Sequence, residues 1–162
     1  MAYAFKTMAS PVGELTLIAC DVGLAAVLWE NDDAGRVPLG PLIEQADHPI
    51  LVEAEHQLVE YFAGQRTDFS LPLAAEGTDF RKKVWRALLA IPFRETRSYA
   101  DIARSVGKPN AYRAVGAAIG MNPLSIVAPC HRVIGSGGAL TGFAGGLDTK
   151  RHLLIHEARK AA

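Results

Sequence analysis

Apolar and polar residues alternate with a period near two from residue 3 to about residue 30. Tyr3, Phe5 and Thr7 lead to a Pro11-Val12-Gly13 turn, residues 14–19 form a second run, and an Asp21-Val22-Gly23 turn opens a third over residues 24–29. Strand side chains point alternately to two faces, so this pattern predicts a three-stranded antiparallel meander. Residues 31–47 are polar and contain proline, which predicts a loop. The period then changes to three and four. Leu51, Ala54, Leu58, Tyr61 and Phe62 form one stripe that stops at Gly64, so a helix is expected over residues 49–62. That stripe should pack on one sheet face and leave Glu53, Glu55 and Glu60 mostly outward.

Residues 67–76 read as a connector with room for a short strand at residues 69–71. Thr78 is the expected N-cap of a helix that carries Phe80, Val84, Ala87 and Leu88 on one side and ends at Ile91, before Pro92. Ser98 with Asp101 three residues later is a capping box for a short helix through Val106. Gly107-Lys108-Pro109-Asn110 supplies a stop, a turn and a new cap, and a second helix should run over residues 111–119. Two short helices on a tight turn resemble a helix-turn-helix, although many helical hairpins bind nothing. The expected fold class is α/β in the α+β sense. A small antiparallel sheet with a helix fills residues 1–75, and a mostly helical unit with the helix-turn-helix fills residues 76–162.

Charge sharpens this division. Net charge is zero, yet residues 1–80 hold 3 Lys/Arg against 13 Asp/Glu, and residues 81–162 hold 14 against 4. Residues 81–113 alone carry nine basic residues, opposed by Glu95 and Asp101. An anionic partner for the second half is implied, nucleic acid first among candidates, unless the two halves simply attract each other. The second helix of the pair contains mostly small residues, with Arg113 as its single charge. Major-groove readers present several long polar side chains, whereas the small residues here would allow close approach to a minor groove, with Arg113 as a wedge. The bland reading is a helix buried by its alanines. No apolar run approaches the roughly 20 residues of a membrane span, and the amino terminus lacks a signal-peptide pattern, so a cytoplasmic location is expected.

The candidate chemistry lies at Pro129-Cys130-His131-Arg132-Val133, between an apolar run and a glycine-rich loop. Proline suits the first position of a short helix, which would place Cys130 where the positive dipole end favours a thiolate. The competing reading is a buried cysteine that packs as a small hydrophobe. Cys20 lies in a strand-like run and reads as core. Two distant cysteines are too few for a disulfide scaffold, and no Cys/His cluster suggests a metal site.

Several blocks together settle the choice at Cys130. Arg113-Ala-Val-Gly-Ala-Ala, Asn122-Pro123, Ile126-Val-Ala-Pro-Cys-His-Arg-Val-Ile134, Thr141-Gly-Phe-Ala-Gly-Gly146 and Leu153-Leu-Ile-His-Glu157 occur in one order. In this the chain resembles the O(6)-alkylguanine-DNA alkyltransferases, over about residues 78–158. The resemblance implies irreversible transfer of an alkyl group from guanine O(6) in double-stranded DNA to Cys130, with thymine O(4) as a second candidate donor. Thiolate is the side chain best suited to attack a saturated carbon. The resemblance further implies that His131 removes the thiol proton through a water and is oriented by Glu157, that Asn122 is a hinge, and that Tyr99 donates to the flipped base. It places Arg113 in the base stack on a helix whose Ala111, Ala114 and Ala117 meet DNA. The carbonyls of Cys130 and Val133 would receive the exocyclic amine, Phe143 would form an apolar wall, and the Ala144 backbone would meet O(6). Phe143 and Ala144 stand where relatives carry hydroxyl residues, which bears on substrate range. The thioether product implies single turnover, by a monomer without metal or cofactor. The alternative is a non-catalytic alkyltransferase-like protein that only binds damaged bases; such relatives replace the cysteine.

Overall fold

The computed structural model describes residues 2–159, so the expected unit ends at residues 1 and 162 lie outside the described residues. β1 (Tyr3–Met8), β2 (Leu15–Cys20) and β3 (Gly23–Leu28) form the expected antiparallel meander. Its register pairs Phe5 with Ile18 and Leu17 with Val27. The loop expected over residues 31–47 is corrected in part. β4 (Leu42–Glu44) adds to the outer edge of β1 in parallel, giving the order β3-β2-β1-β4. This strand has three residues, all exposed, and pairs through its backbone, so it leaves no burial periodicity to read. The strand expected at residues 69–71 is also corrected, because the connector makes only an isolated bridge from Leu73 to Leu24.

α1 (Pro49–Phe62) lays Leu51, Ala54, Leu58 and Tyr61 on the sheet, and all four are buried. Leu124, Ile126, Val127, Ala128 and Leu153, from the second half, share this core with Leu15, Leu17, Leu24 and Val27. Backbone contacts reinforce the junction: Val27 N–H donates to the Pro123 carbonyl at 2.8 Å. Arg36, in a bidentate pair with Asp32, donates to the Asn122 carbonyl at 2.7 Å. The segment leading to Cys130 is therefore packed against the amino-terminal sheet.

α2 (Asp79–Leu89) starts at the Thr78 cap, and α3 (Tyr99–Ser105) starts at a complete Ser98–Asp101 capping box. α3 ends in a Schellman-type turn: Gly107, at φ 77°, donates to the Arg104 carbonyl and Lys108 donates to that of Ala103. α4 (Tyr112–Gly120) follows. Asn110 does not cap it; the Ala111 N–H bonds the Lys108 carbonyl, which draws Asn110 into the turn and leaves Ala111 as an N-cap without a side-chain bond. Val84, Trp85, Leu88, Ile102, Val115 and Ala118 form a second core, and Trp85 Nε1 donates to the Ala118 carbonyl at 2.8 Å. A single 3-10 turn (Cys130–Arg132) leads into a two-residue strand, β6 (Val133–Ile134), parallel to β5 (Arg97–Ser98). α5 (Leu147–Ala158) completes the described chain. No described helix is long and apolar enough to cross a membrane.

Candidate active site

Glu157, near the end of α5, carries its carboxylate into the protein with 1% exposure. Such a charge persists only if its oxygens are satisfied. Arg132 Nε donates to Oε1 at 2.7 Å, and Arg132 Nη2 donates to Oε2 at 3.1 Å. The same Oε2 lies 2.6 Å from His131 Nε2 and accepts from the Tyr61 hydroxyl at 2.6 Å. Burial alone would raise the Glu157 pKa. The hydrogen bond from His131 and its charge when protonated, with the bonds from Arg132 and Tyr61, outweigh it and hold the carboxyl at about 2.

An ionised carboxylate can only accept, so the proton shared with His131 belongs to Nε2 and leaves Nδ1 with a free lone pair. Burial lowers the His131 pKa against the pull of Glu157, which keeps the ring neutral. Nδ1 is buried and has no protein hydrogen-bond partner among the described residues. The arrangement gives a neutral base in a defined tautomer.

Cys130 precedes this base and is 7% exposed. The expected activation at a helix N-terminus is corrected. Its helix is a three-residue 3-10 turn, Pro129 is the N-cap, and the Cys130 N–H is already bonded to the Ala128 carbonyl at 2.7 Å. Such a turn has almost no aligned dipole. Burial pushes the thiol pKa up; a hydrogen bond from Asn122 and the charges of Arg36 and Lys150 act in the other direction. Thiolate formation in this pocket therefore rests mainly on neighbouring side chains, with the Cys130 backbone N–H contributing least.

Asn122 is 1% exposed and bridges α4 to the thiol segment: its Nδ2 donates to the Ala128 carbonyl at 2.9 Å and its Oδ1 accepts from the Leu124 N–H at 3.1 Å. Between these partners Ile126 holds φ 71°, a left-handed conformation that costs a β-branched residue of order 1–3 kcal/mol. The Val133 carbonyl accepts from Lys150 Nζ at 2.6 Å, and the Cys130 carbonyl accepts from the Val133 N–H. Each oxygen retains one lone pair for a further donor. The Tyr99 hydroxyl lies 2.6 Å from Thr141 Oγ1, which fastens α3 to the loop carrying Phe143 and Ala144. Phe143 is half-buried, 5.5 Å from the Trp29 ring, and Ala144 is exposed.

On α4, Val115, Ala118 and Ile119 face inward, whereas Arg113, Ala114 and Ala117 are exposed and Ala111 is half-buried. The small residues therefore line an open surface and do not serve mainly to bury the helix. Of the nine cations over residues 81–113, only Arg97 and Arg104 make an ion pair among the described residues, which leaves Arg81, Lys82, Lys83, Arg86, Arg94, Lys108 and Arg113 without one. Arg94 has a different use: its Nε donates to the Glu157 carbonyl at 2.9 Å, at the carboxyl end of α5.

The family resemblance links Cys130, His131 and Glu157, whereas Arg132, Tyr61, Lys150 and Arg36 carry no such signal in the sequence. Arg132 stood inside the quoted motif without a role. Tyr61 looked like one more member of an apolar stripe, because a periodicity does not reveal that a ring carries its hydroxyl into a distant carboxylate.

Fold and site together define an α+β protein that sets a thiol, a histidine and a carboxylate behind a helix-turn-helix. Residues 3–75 match the 6-O-methylguanine DNA methyltransferase, ribonuclease-like domain, and residues 79–159 match the 6-O-methylguanine DNA methyltransferase, DNA binding domain. A methylated-DNA–protein-cysteine methyltransferase of Mycobacterium bovis is 45% identical over 159 residues, 97% of this chain and 93% of that one. One from Methanosarcina barkeri is 61% identical over 102 residues, covering 63% of this chain and 65% of its relative. The crystal structure of Mycobacterium tuberculosis OGT in complex with DNA shares the fold with a TM-score of 0.86 at 43% identity, over 97% of this chain and 92% of that one. The chain belongs to the methylated-DNA–protein-cysteine methyltransferase family.

Proposed function

We propose that this protein repairs DNA by moving the alkyl group from O(6)-alkylguanine to its own Cys130, once per molecule. The observation that carries the reading is the buried base next to the thiol: His131, its Nε2–H fixed by Glu157 at 2.6 Å and its Nδ1 left free to take a proton. The Cys130 proton passes through a water to Nδ1, and the resulting imidazolium is stabilised by the Glu157 carboxylate. The thiolate sulfur attacks the alkyl carbon; the S–C bond forms as the C–O(6) bond breaks. Negative charge developing on the purine is met by the Tyr99 hydroxyl and the Ala144 N–H; the purine takes the Tyr99 proton and leaves as guanine, and Tyr99 recovers a proton from solvent. Asn122 keeps the thiol segment in register with α4, and the carbonyls of Cys130 and Val133 take the exocyclic amine.

Residues 1–75 and 76–162 divide the work. The second unit holds the helix-turn-helix, and the exposed Ala111, Ala114 and Ala117 let α4 enter a minor groove with Arg113 filling the space of the extruded base. The unpaired cations around α2 meet phosphates. The alkyl donor is the damaged DNA, so no metal or cofactor takes part, and the protein acts as a cytoplasmic monomer. O(4)-alkylthymine is a second candidate substrate, and Phe143 and Ala144 bear on which adducts fit. Duplex DNA carrying radiolabelled O(6)-methylguanine tests the reading: the label should move to Cys130 in a stoichiometric burst. Absence of label on Cys130, or many turnovers per protein, overturns it.

A further inference from the structure

The last inward residue of α1 does more than fill the core. The Tyr61 ring is fully buried, with Phe62, Phe69 and His156 rings 5.2, 5.6 and 5.0 Å from its centroid. A phenylalanine would make the same apolar contacts. The hydroxyl instead crosses 96 residues of sequence to donate to Glu157 Oε2 at 2.6 Å. The Tyr61 carbonyl lies 2.7 Å from His156 Nε2, so α1 grips two successive residues of α5. A buried hydroxyl aimed at the carboxylate that orients the base is a placement that packing alone does not require.

We propose that Tyr61 is a positioning residue for the alkyl-transfer reaction, through which the amino-terminal unit sets the orientation and basicity of Glu157. The inference rests on Cys130 acting as the alkyl acceptor with His131 as its base. Oε2 accepts from His131, Tyr61 and Arg132, whereas Oε1 accepts from Arg132 alone, so three donors compete for the two lone pairs of Oε2. The Tyr61 hydrogen bond draws on the same lone pairs that His131 uses. It therefore weakens the carboxylate as an acceptor for His131 and keeps the imidazole from protonating too readily. Without it, Oε2 binds the imidazolium more tightly, and His131 holds its proton to higher pH.

The other groups facing this cluster stay in place when the hydroxyl is removed. Arg132 and Lys150 act on His131 with positive charge, Cys130 adjoins it, the tilted His156 ring packs against the Tyr61 ring, and Arg94 binds the Glu157 carbonyl. Removing the hydroxyl perturbs one acceptor bond and leaves every formal charge unchanged. The Tyr61 pKa itself is raised by burial and then by the Glu157 carboxylate, so the group is a neutral donor throughout the working range.

The test is Tyr61→Phe, compared with Leu58→Ala, which weakens the same helix without reaching Glu157. Single-turnover transfer from O(6)-methylguanine DNA is followed against pH, with each rate normalised to titratable Cys130. NMR of ring-labelled histidine follows His131 directly. In Tyr61→Phe the rate at neutral pH should fall about tenfold, as losses of orienting partners do. Its acid limb and the His131 titration should move to higher pH, while Leu58→Ala lowers thermal stability and leaves both where they are. An unmoved acid limb and His131 titration in Tyr61→Phe, or equal movement in the two variants, overturns the proposal. Failure of the wild-type protein to label Cys130 would instead refute the acceptor reading, and the NMR titration would still report on the Tyr61–Glu157–His131 coupling.

Discussion

Glu157→Gln replaces the buried carboxylate by an amide of nearly the same shape, and its consequences follow from the hydrogen-bond inventory. Four donor bonds converge on Glu157: one from His131, one from Tyr61 and two from Arg132. Glutamine has one acceptor oxygen, so its NH₂ group must face at least one of these donors, and the Arg132 guanidinium loses its counter-charge. The carboxyl pKa of about 2, against a reference of 4.5, corresponds to roughly 3 kcal/mol of native-state stabilisation at neutral pH. That agrees with the roughly 3–5 kcal/mol typical of breaking a buried ion pair from one side. Because the folded pKa is the lower one, this stability is present above the unfolded value and is lost as pH falls toward about 2. Of the roughly 3 kcal/mol, about 2 should disappear between pH ~6 and ~3. Urea unfolding of both proteins across this range is the assay. The wild type should be more stable by about 3 kcal/mol at pH ~6, and the gap should narrow to about 1 kcal/mol at pH ~3. Alkyl transfer should fall by about two to four orders of magnitude, since the amide no longer holds the Nε2–H tautomer. A stability gap that is absent at neutral pH, or constant with pH, would refute the reasoning.

Three further outcomes are expected. Arg113→Ala should slow repair of duplex DNA about tenfold or more and leave reaction with the free base analogue within about twofold, because an exposed wedge serves base extrusion and not the thiol. Equal losses on both substrates would remove that role. Affinity for duplex DNA should fall steeply with added salt, with a log–log slope of about −4 to −6 if most of the six unpaired cations other than Arg94 reach phosphates; a flat response would remove them from the interface. Gly145→Ala should cost about 1–3 kcal/mol and discriminate against bulky adducts, because a Cβ there would lie 2.8 Å from two Trp29 ring atoms and 3.1 Å from Phe143. Thermal unfolding together with methyl- and benzyl-adduct rates measures both.

The elements most legible in the sequence were those with a local cause. The meander is written in alternation and glycine turns, α1 in its stripe, and α3 in the Ser98–Asp101 box, and each lies where those signals put it. β4 escaped because an exposed edge strand is held by backbone pairing alone. Within the site, the Pro-Cys-His-Arg-Val block pointed to Cys130, and the family resemblance linked it to Glu157. Neither could reveal that Tyr61, 96 residues earlier in the chain, completes the carboxylate, or that Arg36 reaches the Asn122 carbonyl. Such contacts depend on how the sheet and α1 dock against residues 124–128, and docking has no sequence period.

The same limit explains the one physical argument about Cys130 that the structure reverses, and it leads to a test. A helix N-terminus was expected to favour the thiolate, but the turn is a single 3-10 step whose first N–H is occupied. Burial opposes ionisation, so stabilisation of the thiolate falls chiefly to Asn122, Arg36 and Lys150, with the Cys130 backbone N–H contributing least. Lys150 is 1% exposed, with its Nζ 2.6 Å from the Val133 carbonyl and 5.7 Å from the Phe143 ring. Burial lowers its own pKa, and the Cys130 thiolate acts in the opposite direction. Lys150→Met keeps the aliphatic stem and removes the charge. The Cys130 titration should then move to higher pH, because the charged form loses a nearby opposite charge while the burial remains. The rate of Cys130 carbamidomethylation by iodoacetamide, read by mass spectrometry against pH, reports that midpoint and separates Cys130 from Cys20. Lys150→Arg, which restores a cation, should return the midpoint part of the way. If Lys150→Met leaves the midpoint where it was, the Lys150 charge does not act on the thiol, and activation rests with Asn122, Arg36 and the His131 relay.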